Sequence, residues 1–549
     1  MALPFDRRID RRALLAGGLA TAAVAGVGLT ACGPTNSGSQ SDASATGGTL
    51  SIAMSAANIP FPSTPPNQGY EGYRFVGNNI YDALTRLNLD QDKTLPVPHP
   101  SLAEKWDVSE DLKTWTFTLR KGVTFHDGTA FNADAVIFQL DRLKNEKFKY
   151  FSETDAANGA TQVRYIDKYE AVDDSTVKIT CTQPYAWLHW DLLHVYMPSP
   201  AVIKKVGNDK YNAHATGTGP FKMTKYVDGE TMELTRYDKW WPGPVKLDKI
   251  VLYPQPEAAS RLSMLQSGQV NWAEVPTPDS IDQLKADGDQ IFMHKYPHGI
   301  MPRFNLFRKP FKGNTKLRQA LNYALDRDGC AALINNVGYG AKQYVYEGHP
   351  DYAPNNPGYS YDVAKAKQLL SESGYQPGEL TITMGYTTGG SGNMFPDVMM
   401  QKLQADFKAI GVATKLVPME WTVLISIGLD GLNSDKWKNL DILWASPAAG
   451  MTPTGYNSTF MSKRPGGQAN ATGLDDPVID KNLTLAPQQK EEKDQHAYLQ
   501  KMMDQAVSQA YFLFWMHDLN LRVMSADVKN FVEPQSWWVD FSKITVSGS

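Results

Sequence analysis

Few residue spacings in this 549-residue chain could support catalysis or metal binding. The Gly-rich run at residues 389–392 contains a serine but lacks the Gly-x-Ser-x-Gly pattern of a hydrolase, and neither a His-Glu-x-x-His motif nor a phosphate-binding lysine loop occurs. His189 with His194, or His294 with His298, could be imagined as metal ligands, but a proline directly before His298 disfavours a helix there. We therefore expect no enzyme, no catalytic residue, no metal site and no cofactor.

The composition excludes several broad classes of protein. With 54 basic and 58 acidic residues, the net charge of −4 provides no basic field that would attract nucleic acid. An apolar content of 42% is too high for a disordered chain, and 549 residues are too many for one hydrophobic core. The 13 tryptophans are unusual, and they could serve either packing or binding.

The N-terminus has the order of segments that is typical of an export signal. Arg11 and Arg12 precede an uncharged run, residues 13–30, that is rich in alanine and glycine. Residues 29–32 read Leu-Thr-Ala-Cys and resemble a bacterial lipobox, in which the cysteine thiol receives lipid. We predict that residues 1–31 form a signal peptide and that Cys32 is the lipid attachment site. The paired arginines resemble a twin-arginine signal, and an ordinary Sec signal with clustered charge is the alternative.

Small polar residues dominate the segment that follows Cys32. Residues 33–48 carry one charge, and such a coil spans about 20–25 Å, so residues 32–48 are expected to tether a body to the membrane. No later apolar stretch is long enough to cross a bilayer, which places the body outside the cytoplasm, in the periplasmic space or at the outer face of the cell membrane. Cys181 and Cys330 could form a disulfide or remain two isolated buried thiols.

Apolar periodicity predicts an α/β chain whose N-terminal half is richer in strands. Alternation predicts strands at residues 49–54, 115–119, 123–125, 381–386 and 412–417, and the apolar run 511–516 predicts a buried strand. Helical spacing predicts helices at residues 132–143, 317–324, 362–374, 399–410 and 491–508, with Asn132 and Asp362 as N-caps. Two successive helix–strand units favour an α/β lobe in the C-terminal half.

Seven longer segments resemble one known family when they are taken in order. They are residues 103–111, 114–120, 123–128, 217–221, 238–241, 316–327 and 361–375. The first three resemble the signature of the family 5 solute-binding proteins, the extracytoplasmic receptors of ABC importers for peptides, nickel complexes and related solutes. The others are similar to the family's Gly-Thr-Gly-Pro-aromatic turn, its aromatic doublet, its lobe II helix motif and its Lys-Ala-Lys-x-Leu-Leu element. The resemblance extends from about residue 48 to residue 531.

The resemblance implies an α/β fold of the two-lobed periplasmic-binding-protein type (type II, large peptide-binding class), with an additional subdomain inserted in lobe I. Lobe I is expected at residues 49–290, with the inserted subdomain at about residues 80–200. Lobe II is expected at residues 291–495, and residues 496–549 return to lobe I. Ligand would lie in the cleft between the lobes, which close by hinge motion.

The implied function is that of a receptor that delivers a solute to an ABC permease of the inner membrane, as a lipid-anchored monomer. A peptide or peptide-like solute is the first expectation, and an oligosaccharide or another polar organic solute is the alternative. A nickel complex ranks below both. A lipid-anchored hydrolase is the alternative outside the receptor class. Charged residues facing the cleft near Trp444 would favour a peptide, whereas tryptophan-rich walls poor in lysine and arginine would favour a sugar.

One departure from the family pattern leaves the ligand class open. In peptide-binding members, a Trp-x-x-Asp stretch supplies an aspartate that pairs with the peptide's α-amino group. Trp444 matches the tryptophan, but Pro447 stands where the aspartate is expected, and the proline side chain cannot accept that hydrogen bond.

The candidate ligand-binding residues are Tyr70, Tyr73, Asn78, Trp272, Asn305, Trp421, Trp444 and Ser446. For each of them, packing or plain surface exposure is the competing interpretation.

Overall fold

The computed structural model describes residues 47–463 and 467–547. The predicted signal peptide, the predicted lipid site Cys32 and most of the predicted tether lie outside these residues. Within the described ranges, no helix combines the length and the apolar character that a membrane span requires.

The largest sheet has seven strands and is mixed. Its order is Gln290–Phe292, Arg522–Met524, Trp272–Glu274, Thr49–Met54, Lys249–Pro254, Thr231–Arg236 and Phe221–Val227. The central strand Thr49–Met54 runs parallel to both of its neighbours, while the outer pairs are antiparallel. Leu50, Ile52 and Met54 are fully buried on this strand, as alternation predicts. We call the part of the chain built on this sheet the mixed-sheet lobe.

A second, antiparallel sheet follows the first strand in the chain. Its order is Ala103–Val108, Thr114–Leu119, Thr176–Cys181 and Ile166–Asp173. The helix Ala133–Lys144 contacts this sheet and begins as predicted at Asn132, whose side chain accepts a hydrogen bond from the Ala135 N–H at 3.2 Å. The predicted strand at residues 123–125 is wrong, because Thr124 makes only an isolated bridge to Ala130 across a turn at Gly128.

The third sheet carries the predicted helix–strand units. Its order is Arg303–Phe304, Ile442–Leu443, Thr381–Thr387 and Ala413–Met419, and the last three strands are parallel. Asp362 caps the helix Val363–Glu372 by accepting the Lys365 N–H at 2.8 Å. Gly411 follows the helix Pro396–Ala409 with φ +84°, and a Cβ there would lie 2.5 Å from Pro377, so glycine is required at this helix end. We call this part the parallel-sheet lobe.

Three small sheets complete the strands. They are Gly299–Ile300 with Met516–Asp518 and Gly338–Gly340, Thr85–Leu87 with Pro98–Pro100, and Val528–Lys529 with Thr545–Val546. The predicted strand at residues 511–516 is wrong for most of its length. Only Met516 lies in a strand, and Phe512 makes one bridge to Arg303. Residues 512–516 are nevertheless buried, since the run fills the core without a ladder partner.

The remaining helices are short for the most part. The α-helices not yet named are Gly69–Glu71, Asn78–Ile80, Glu153–Gly159, Leu188–Asp191, Pro200–Val206, Asn208–Tyr211, Ala258–Gln266, Ile281–Ala286, Thr315–Tyr323, Arg327–Leu333, Trp421–Asp430, Gly455–Phe460, Pro477–Leu485 and Glu492–Ser508. A π-helical turn spans Gly72–Gly77, and 3₁₀ turns span Leu192–His194, Asn212–His214, Pro278–Ser280, Ala449–Met451 and Ala486–Gln488.

The two described cysteines do not form a disulfide. Cys181 and Cys330 are both free and buried. Burial raises the pKa of each thiol to about 12, so both are protonated at neutral pH.

Candidate ligand-binding site

The candidate site begins where the parallel strands of the third sheet end. The Gly-rich run at residues 389–392 follows Thr381–Thr387, Trp421 follows Ala413–Met419, and Trp444 follows Ile442–Leu443. Because the carboxyl ends of parallel strands meet at one sheet edge, these segments are brought together there. Ligands of open α/β sheets bind at this kind of edge.

A cavity of about 460 Å³ lies at this edge, and we call it the aromatic cavity. Its walls come from both lobes. The lining residues are Pro66, Asn67, Gln68, Gly69, Tyr70, Tyr73, Asn158, His298, Ser391, Gly392, Asn393, Trp421, Thr422, Leu424, Ile425, Trp444, Ser446 and Trp537. Among these residues there is no aspartate, glutamate, lysine or arginine, so the walls consist of aromatic, aliphatic, amide and hydroxyl groups.

Trp421 spans the aromatic cavity from one lobe toward the other. A Cβ at Gly390 would lie 2.5 Å from the indole Cγ and Cδ1, and the φ of Gly390 is +104°, so only glycine lets the loop pass under the ring. The far edge of the same indole comes within 3.5 Å of the Cβ position of Gly69 in the other lobe. Trp421 is only partly buried, and its ring is available to a solute.

Trp444 forms the back of the aromatic cavity. Its side chain is 1% exposed, its Nε1 donates to Asn393 Oδ1 at 2.6 Å, and its ring packs edge-on against Trp515. These contacts fix the ring, so Trp444 contributes a rigid wall.

Ser446, His298 and Asp518 form a hydrogen-bonded chain beside Trp444. The Ser446 Oγ lies 2.9 Å from His298 Nε2, and His298 Nδ1 lies 2.8 Å from Asp518 Oδ2. The order of these groups is that of a hydrolase triad. However, the Ser446 hydroxyl also donates its single proton to the Gly392 carbonyl oxygen, which can only accept. The single proton of the Ser446 hydroxyl is therefore directed at the Gly392 carbonyl oxygen and not at His298 Nε2.

A second cavity of about 270 Å³ adjoins the first through Tyr70 and Tyr73, and we call it the charged cavity. Its lining residues are Tyr70, Tyr73, Thr161, Gln162, Trp190, Asp191, His194, Arg303, Pro447, Ala448, Thr452, Thr454, Gly455, Ser458, Thr459 and Trp538. Trp538 packs against Tyr70 and His194, with ring centroids 5.4 and 4.5 Å apart. Burial lowers the pKa of His194 to about 3, so its imidazole is neutral at neutral pH.

A buried ion network holds the segment that carries Tyr70 and Tyr73. The Arg74 Nη2 lies 2.5 Å from Glu274 Oε2 and 3.5 Å from Glu71 Oε1, and all three side chains are fully buried. Glu274 also accepts the indole N–H of Trp272 at 2.6 Å, and Arg522 Nε lies 3.6 Å from its Oε1. The network thus ties the π-helical turn to the seven-stranded sheet.

The structure brings five of the eight sequence-predicted residues to these cavities. Tyr70 and Tyr73 line both, and Trp421, Trp444 and Ser446 line the aromatic cavity. They stay predicted ligand contacts.

The other three predicted residues lie elsewhere. Trp272 is fully buried in the core, where Phe541 stacks on its ring and Glu274 accepts its N–H. Asn305 is 1% exposed, and its amide donates to the Leu432 and Leu440 carbonyls, so it holds the backbone of these two residues in place. Asn78 accepts the Tyr196 hydroxyl at 2.8 Å and lines a separate cavity of about 340 Å³. We leave these three out of the proposed site.

The sequence interpretation missed Arg303, Asp191 and His298 as residues of the cavities. Arg303 precedes Asn305 by two positions, and a lone arginine in an otherwise apolar strand was a usable signal. Asp191 gave no such signal. His298 was considered only as a metal ligand with His294, because its partner Asp518 is 220 residues away in the sequence.

Two α/β lobes with a solute-sized, largely aromatic cleft between them define a binding protein of the two-lobed receptor class, and this fold is the one that the sequence predicted. The family model described as bacterial extracellular solute-binding proteins, family 5 middle, matches residues 97–469. The chain belongs to this family of solute-binding receptors.

Individual relatives agree with that assignment. The dipeptide-binding protein of Escherichia coli (strain K12) is 29% identical over 409 residues, which cover 70% of this chain and 76% of the relative. The glutathione-binding protein GsiB of Pectobacterium atrosepticum is 32% identical over 381 residues, covering 67% and 69%. Among solved structures, the periplasmic binding protein DppA of Helicobacter pylori, in complex with peptide STSA, matches with a TM-score of 0.80 and 23% identity, covering 92% of this chain and all of that one.

Proposed function

We propose that this receptor captures a peptide or peptide-like solute in the cleft formed by the aromatic and charged cavities, and delivers it to the permease of an ABC importer. The observation that carries the proposal is the pair of charged side chains, Arg303 and Asp191, lining the cavity beside Pro447. Charged groups near Trp444 favour a peptide over a sugar, since they can bind the charged ends of a peptide. The relatives named for dipeptides and glutathione support the same ligand class.

An oligosaccharide is the second candidate ligand, and the aromatic cavity is the observation that favours it. Its lining has no ionic side chain but offers the Trp421 ring together with amide and hydroxyl groups such as those of Asn67 and Ser446. Sugars stack on indole faces and bond to such groups.

A thermal-shift screen of the purified protein would test both candidates. The panel contains di- to pentapeptides, cello- and xylo-oligosaccharides, opines and nickel chelates. A ligand at about 100 times its Kd stabilises the folded state by about 2.7 kcal/mol, which is a readily measured shift. Stabilisation by peptides supports the proposal, and stabilisation by sugars alone would replace it with the second candidate. No shift with any compound, together with turnover of ester or peptide substrates, would refute the receptor function.

We further propose that the protein acts outside the cytoplasm as a monomer attached to the cell membrane through lipid on Cys32. The motif at residues 29–32 and the small polar residues after it support this attachment. In cell fractionation, Cys32→Ser should move the protein from the membrane to the soluble fraction. Retention of the variant in the membrane fraction would contradict the lipid anchor without affecting the ligand proposal.

A further inference from the structure

Two opposite charges line the charged cavity, and neither has an ionic partner among the residues that the structure describes. The Arg303 Nη2 donates to Thr459 Oγ1 at 3.3 Å, and its Nε has no hydrogen-bond partner within the described chain. Tyr344 also lies close to this guanidinium. An arginine cannot lose its proton under ordinary conditions, so its charge persists and lacks compensation.

Asp191 is the opposite charge, and it ends the short helix Leu188–Asp191. Its side chain is buried, and the Tyr185 hydroxyl donates to its Oδ2 at 2.6 Å. Thr454, which also lines the charged cavity, hydrogen-bonds to the same carboxyl group. Burial raises the pKa of Asp191 well above its ordinary value, although the Tyr185 and Thr454 bonds and the more distant Arg164 oppose the shift.

The arrangement leaves room for a ligand that carries both complementary charges. Arg303 and Asp191 line the same cavity of about 270 Å³ but do not pair with each other. Tyr70, Tyr73, Trp190 and Trp538 line its sides with aromatic rings, so the ends of a bound solute would be partly removed from water. In such surroundings an ionic hydrogen bond is stronger than at the surface, and an unmatched charge is costly. Tyr70 and Tyr73 line both cavities, so the charged cavity borders the aromatic cavity at these two rings.

We propose that Asp191 binds the ammonium group and Arg303 the carboxylate group of one short zwitterionic peptide, with a dipeptide as the expected size. Asp191, which belongs to the segment between the antiparallel sheet and Phe221–Val227, thereby supplies the carboxylate that Pro447 cannot. This inference rests on the proposed function and specifies the chemistry of the same site.

The test is isothermal titration calorimetry of the full chain with alanyl-alanine, alanyl-phenylalanine and leucyl-leucine, each also as its N-acetyl derivative and its C-terminal amide. Free dipeptides should bind at least 10-fold more tightly than either blocked form. Asp191→Asn keeps an acceptor for Tyr185 and should lose that preference over the N-acetyl form only, while Arg303→Gln should lose the preference over the amide only. Asp209→Asn and Lys210→Gln, both exposed positions, should behave like the unmodified protein.

Equal binding of free and N-acetyl dipeptides, or no binding of any free dipeptide, overturns the inference. If longer or N-blocked peptides still stabilise the protein in the screen, the proposed receptor function stands, and only the inference about Asp191 and Arg303 is lost. Melting curves of both variants verify that they remain folded.

Discussion

Neutralising Glu274 should destabilise the protein because it leaves the buried Arg74 with one weak ionic partner. In Glu274→Gln the amide still accepts the Trp272 N–H, so the hydrogen bond at 2.6 Å is retained while the charge is lost. Arg74 then keeps only the contact at 3.5 Å to Glu71 and its bond to the Trp537 carbonyl. Breaking a buried ion pair costs about 3–5 kcal/mol, and since Glu71 remains, we expect about 3 kcal/mol.

Urea unfolding followed by far-ultraviolet circular dichroism measures this loss in the first transition. The control is Glu170→Gln, whose partner Lys178 lies at 3.3 Å but whose pair is 44% and 64% exposed. That variant should change stability by less than about 0.5 kcal/mol. The double variant Arg74→Met with Glu274→Gln removes the orphaned charge and should recover part of the loss. A loss below about 1 kcal/mol in Glu274→Gln would show that the network contributes little, which would refute the reasoning.

Three further predictions concern single side chains. Burial raises the pKa of Asp82 to about 6, so the folded state keeps a proton that the unfolded chain has already released above pH 4. Asp82 should therefore lower stability by about 2 kcal/mol as the pH rises from 4 to 6, and Asp82→Asn should remove this share of the slope in urea titrations, while the raised pKa values of Glu71 and Glu533 sustain the rest. Trp421→Ala should lower solute affinity about 10-fold in calorimetry with little loss of stability, because the ring is partly exposed, whereas Trp444→Ala should cost about 3–5 kcal/mol of stability. Cys181 and Cys330 should react with a thiol reagent only after unfolding; fast labelling of the native protein would contradict their burial.

Local sequence patterns predicted the elements of this fold well where periodicity and caps agreed. Asn132 and Asp362 cap helices because their side chains accept backbone N–H groups, and Gly411 ends a helix because it adopts a positive φ. Each boundary therefore depends on one residue type that can be recognised in the sequence. The run at residues 511–516 was misread, because an apolar run without alternation does not show whether it has a ladder partner or only a core around it.

The candidate site was predictable only in part. Trp421 follows a predicted strand, but the strand Ile442–Leu443 before Trp444 was not predicted from the sequence. The two tryptophans meet at one edge because both strands belong to one parallel sheet. Arg303 and Asp191 meet across a cavity because the lobes pack together, and no pattern in the sequence encodes that approach. Trp272 was predicted to contact ligand because it lies at a strand end, but its side chain is buried in the core.

The order of strands in the seven-stranded sheet has a consequence for how the chain folds. Thr49–Met54, the first strand made, pairs with Lys249–Pro254 and Trp272–Glu274, and the latter pairs in turn with Arg522–Met524. Until the residues of Arg522–Met524 have been synthesised, Trp272–Glu274 has an open edge, and open edges invite aggregation. The strands of the parallel-sheet lobe all lie between Arg303 and Leu443, so they can pair before the C-terminal residues have been made. We therefore expect it to fold first, and a chain truncated before Arg522 to aggregate through the unfinished sheet.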